Sequence, residues 1–163
     1  MRNEVAKEVK KRFENRMRTE YPDFKFTKVD NVPKGWYLYK KDLVNISFFI
    51  ILLAYSKYQD RFYVEIGWTT DENIPSLGFD IPSLKNQVKG VCIRLERFVP
   101  EYCGLPAPRF GKGYVLGVDW SSLPLEVDIF TIDEVPVEEA IAKIDDHLSN
   151  IFMEIKKYVI PYF

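Results

Sequence analysis

A chain of 163 residues, 47% hydrophobic and 15% aromatic, can bury roughly two thirds of its unfolded surface in one core, which excludes intrinsic disorder and makes residues 1–163 one expected domain. The net charge of −1 and pI of about 5.9 argue against a general nucleic-acid binder, and the longest apolar run, 46–55, is about half of the roughly 20 residues that span a bilayer. The charge is unevenly placed: residues 1–41 carry twelve Lys/Arg against six Asp/Glu, 42–118 eight of each, and 119–163 three against ten. The expectation is that a basic first helix and an acidic last helix neutralise each other on one surface.

In the first segment Val5, Val9, Phe13 and Met17 recur every four residues, which predicts a helix over 3–20 with a narrow apolar stripe. Glu8 with Arg12 and Glu14 with Arg18 have the favourable i, i+4 spacing, and Pro22 stops the helix. Its other basic residues, Lys7, Lys10, Lys11 and Arg16, could contact phosphates, but a one-striped helix must expose something on its remaining faces, so they read as solvated. The alternation of charged with apolar residues here lacks the uninterrupted apolar segment of a secretory leader, so the expected location is the cytoplasm.

Phe24 and Phe26 mark a short strand, and residues 36–43 follow as a second after the turn ending in Gly35. Trp36, Tyr37 and Tyr39 faintly resemble the ring-bearing strand of RNA-recognition modules, yet aromatic residues are favoured in strands generally. Residues 46–55 are apolar on both alternating faces, the pattern of a central strand, and residues 62–69 alternate more weakly. Short connections between these four predict an antiparallel meander. Within the last of them, Glu65 reads as an exposed strand carboxylate.

Residues 71–90 form a long Pro/Gly-rich excursion, 91–99 a fifth strand, 100–119 a second irregular stretch and 125–132 a last extended segment. Gly111, Gly113 and Gly117 near Lys112 lack the phosphate-loop spacing and read as turn formers. Asp133, Glu134 and Pro136 signal a helix start, after which Val137, Ile141, Ile144, Leu148, Ile151, Ile155 and Tyr158 define the clearest apolar stripe in the chain. Pro161 is expected to end this helix, with Tyr162 and Phe163 tucked against the core. The fold class expected is α+β: an antiparallel meander of about four to six strands, with the N-terminal helix and a long C-terminal helix packed on one face.

The residues assemble no catalytic set. Cys92 and Cys103, eleven apart and without a CxxC spacing, fit neither a zinc site nor a disulfide framework, so reduced thiols and no metal or cofactor are expected. His147 lies beside the last helix's stripe and reads as a flank residue rather than a base. Asp71, Glu72, Asp119, Asp128, Asp133 and Glu134, with Trp68 and Trp120 as anchors, instead suggest an acidic, aromatic partner-binding surface. The competing expectation is a small-molecule binder or enzyme with a pocket between sheet and loops, lined by Tyr37, Tyr39, Tyr63, Glu65 and Arg109.

The segment Phe62-Tyr63-Val64-Glu65-Ile66-Gly67-Trp68-Thr69, the later Cys92-Ile93-Arg94-Leu95 and the helix ending in Ile160-Pro161-Tyr162-Phe163 resemble an uncharacterised bacterial family of small α+β proteins encoded beside polymorphic or contact-dependent toxins. The likeness runs over about residues 13–163, departing after Leu95, where a Pro/Gly-rich loop stands in place of a Trp-rich one. It implies a non-enzymatic immunity-type protein whose partner is a cognate toxin, many such toxins being nucleases.

Overall fold

The computed structural model describes residues 1–28, 35–54, 60–70, 90–95, 114–115 and 135–163. Helix α1 (Asn3–Glu20) takes the bounds its four-residue period predicts, and Val5, Val9, Phe13 and Met17 are all fully buried. Tyr21 leaves helical geometry in front of Pro22, as the proline ring requires. At the other end the Asp60 carboxylate accepts the backbone N–H of Arg2 at 2.6 Å, setting a negative charge at the positive end of the helix dipole. The Arg2 guanidinium closes the same contact through Nε to Asp60 at 2.5 Å and donates through Nη2 to the carbonyl of Val135 at 2.6 Å.

The strands β1 (Lys25–Thr27), β2 (Trp36–Asp42), β3 (Ser47–Leu53), β4 (Arg61–Thr69) and β5 (Gly90–Arg94) lie side by side in chain order, each antiparallel to the next. This is the expected meander, and β3 occupies its centre. Gly35, at φ 96°, makes the left-handed turn into β2 that a residue with a Cβ would resist, and its carbonyl accepts the N–H of Ala54 at 2.8 Å. Residues 48–54 are buried without exception. Phe48, Ile50, Leu52 and Ala54 join the core shared with both helices, whereas Phe49, Ile51 and Leu53 form a second cluster with Leu38 and Tyr63 on the opposite face.

Helix α2 (Val137–Glu154) packs beside α1 on the first face through Ala140, Ile144, Leu148, Ile151 and Phe152. Along the seam Phe13 meets Phe152 edge-on at 5.3 Å, Tyr21 stacks on Phe152 at 5.7 Å, and the Arg16 guanidinium lies 4.7 Å above that same ring. Arg12 pairs with Asp145 at 2.7 Å and Arg16 donates to Ser149 at 3.1 Å, so basic and acidic helix faces do meet here. A solvated ion pair contributes about 0–1 kcal/mol, against about 1.5–3 kcal/mol for each large apolar side chain fully buried. Apolar packing therefore holds the seam, and the charges select its register.

Several elements depart from expectation. Glu14 and Arg18 do not pair; Arg18 donates to Asn15 at 3.0 Å, while Arg16 pairs with Glu20 at 2.7 Å. The fifth strand ends at Arg94, and Tyr114–Val115, in a stretch expected to be irregular, forms a short strand β6 antiparallel to the start of β4. After Glu154 the helix widens into a π turn (Ile155–Val159) and then tightens into 3₁₀ (Ile160–Tyr162), carrying Pro161 inside it. In the wider i→i+5 turn, residues four apart share a side, so Val159 rather than Tyr158 continues the buried stripe. Phe163 does tuck in, stacked on Phe48 at 4.5 Å, but Tyr162 stays 77% exposed because the 3₁₀ turn points it outward. The expected segment over 125–132 and the glycines at 111, 113 and 117 lie outside the described residues. Among those described, no helix is long and apolar enough to cross a membrane.

Candidate functional site

The residues proposed to line a pocket are divided by the sheet. Antiparallel partners directly opposite one another share a face, and the register sets Tyr37 across from Leu52 and Tyr39 across from Ile50, on the side the helices cover. Tyr63 lies across from Leu53 and Glu65 across from Ile51, on the other side. Arg109 is outside the described residues. Tyr39 is buried between Phe13, at 5.7 Å, and Phe26, at 5.8 Å, and its hydroxyl has no hydrogen-bond partner among the described residues. Burial, and after it the charge of Glu14, push its pKa well above the ordinary tyrosine value. Tyr37 is half-buried with the Lys10 ammonium 4.7 Å above its ring. Both tyrosines thus tie α1 to β2, and the Tyr39 ring is closed to stacking on a base.

On the second face Glu65 is only 8% exposed, contrary to the surface carboxylate expected, because its register position places it beside a buried apolar cluster rather than in water. The thiol of Cys92 donates to its Oε2 at 3.6 Å. Burial, reinforced by the Glu65 charge, raises the Cys92 pKa far above the ordinary thiol value, so the sulfur stays protonated and is a poor nucleophile. The Arg61 guanidinium sits 5.5 Å from the Tyr63 ring. His147 belongs to α2, on the opposite side of the sheet from Glu65, and burial lowers its pKa more than neighbouring Asp146 raises it. Among the described residues no group of three or more His, Cys, Asp or Glu could hold a metal ion.

Of the residues proposed for partner binding, Trp68 alone is described; Asp71, Glu72, Asp119, Trp120, Asp128, Asp133 and Glu134 lie outside the described residues. Trp68 is half-buried near the end of β4, directly across from Phe48. Phe48 stacks on Phe163, whose carbonyl accepts from Lys41 at 3.5 Å, so β2, β3, β4 and the segment after α2 converge at this end of the sheet. The turn between β2 and β3 projects beyond it. Leu43 is 49% exposed and Val44 97%, although the turn is well held: the Leu43 N–H donates to the Ile46 carbonyl at 2.9 Å, and the Ser47 hydroxyl donates to Asp42 across the neck. Hydrogen bonds from Lys40 and then Ser47 keep the Asp42 pKa below the usual carboxylate range.

Sequence reasoning passed over Leu43 and Val44 because it read residue 43 as the end of a strand. The available signal was compositional: a tight turn that sets Val44 beside Asn45 at its centre, where Gly, Asn, Asp or Pro is usual at both positions. Compared with protein-family models, with curated proteins and with solved structures, the chain matches none. This end of the sheet carries a hydrogen-bonded apolar tip, Leu43 and Val44, and the half-buried indole of Trp68.

Proposed function

We propose that this chain is a non-enzymatic binding protein of the immunity type, acting in the cytoplasm, which neutralises a cognate toxin through the end of the sheet that carries Trp68. The observation that carries the reading is the nearly complete exposure of Val44 on a turn whose backbone and neck are hydrogen-bonded. An aliphatic side chain held in water on a preorganised turn gains about 1.5–3 kcal/mol when a partner covers it, with little ordering entropy to oppose the gain. Trp68 supplies the kind of aromatic anchor that dominates protein interfaces. In this proposal the acidic residues Asp71 and Glu72, which follow Trp68 closely in sequence, steer a basic partner such as a nuclease and speed its association.

The test is co-expression with the product of the adjacent gene, scored by growth and by titration calorimetry of the purified pair. Rescue of growth and a stoichiometric complex support the proposal; a toxic neighbour that neither binds nor is neutralised removes it. Replacing Leu43 and Val44 by serine should weaken that complex at least tenfold while leaving the thermal midpoint of the free chain unchanged. A double variant that binds as tightly as the parent would exclude the turn from the interface.

A further inference from the structure

We draw no further inference here: the strongest candidate, the exposed apolar turn at Leu43 and Val44 at the end of the sheet that carries Trp68, belongs to the surface already described, and nothing in the structure shows what covers it.

Discussion

Replacing Arg2 by alanine should cost far more stability than its position at the edge of a helix suggests. Its partner Asp60 has a side chain only 3% exposed, whereas the arginine itself is 29% exposed. Removing one member of a buried pair leaves an uncompensated charge and costs about 3–5 kcal/mol. The backbone N–H of residue 2 still reaches Asp60 in the variant, and water reaches the arginine side, so the lower end, about 3 kcal/mol, is expected. Urea unfolding at neutral pH reads this directly. With a slope of about 2 kcal/mol/M the midpoint falls by about 1.5 M, the slope itself unchanged. Arg2→Lys keeps the charge but cannot hold Asp60 and the Val135 carbonyl in one planar fork, so it should fall between parent and alanine. A double-mutant cycle with Asp60→Ala isolates the pair. Strict additivity, or an Arg2→Ala midpoint within 0.2 M of the parent, would refute the reasoning.

Tyr39→Phe removes a buried hydroxyl without a partner among the described residues, and should leave the thermal midpoint unchanged or raise it by a few degrees; a loss of stability of more than about 1 kcal/mol would reveal a hydrogen bond to that oxygen. Breaking the pair between Arg12 and Asp145, whose carboxylate side is 66% exposed, should cost under about 1 kcal/mol in low salt and nothing measurable in 1 M NaCl, as a two-salt denaturation series would show. Burial holds the folded-state pKa of His147 below its ordinary value of 6.5, so the unfolded chain takes up this proton first. Stability should therefore fall as the pH drops from about 6.5 through the folded pKa, and the slope of midpoint against pH should flatten over that window in His147→Gln. An identical slope in the two proteins would show that the imidazole titrates alike in both states.

What was legible in the sequence followed periodicity. The fourfold repeat in α1 names its buried residues correctly because one helix face alone meets the sheet, and the two-sided apolar run at 46–55 identifies the central strand because only a strand covered on both faces needs it. Face assignment between strands was not legible. Tyr37 and Tyr63 fall on opposite sides because two hairpin registers set their parity, and shifting either register by one residue would reverse the relation. The same register buries Glu65. Likewise no spacing rule distinguishes Tyr158 from Val159 as the next stripe residue, since the choice depends on whether the last turn is α or π. Leu43 was read as the last residue of the strand over 36–43, and Val44 was given no role.

A surface strand leaves every second position free to drift. The centre of this sheet grants no such freedom: from residue 48 to residue 54 each consecutive side chain has neighbours packed on it, so alternate sites offer no refuge for a polar replacement. A lysine introduced anywhere in that run would have no short route to solvent on either side. Within this hairpin the stability of the free chain tolerates substitution at its connecting turn, where Val44 is 97% exposed. The residues on which the packing of the free chain depends most and least stand only four positions apart in this hairpin, so a change at one tests stability and a change at the other tests binding.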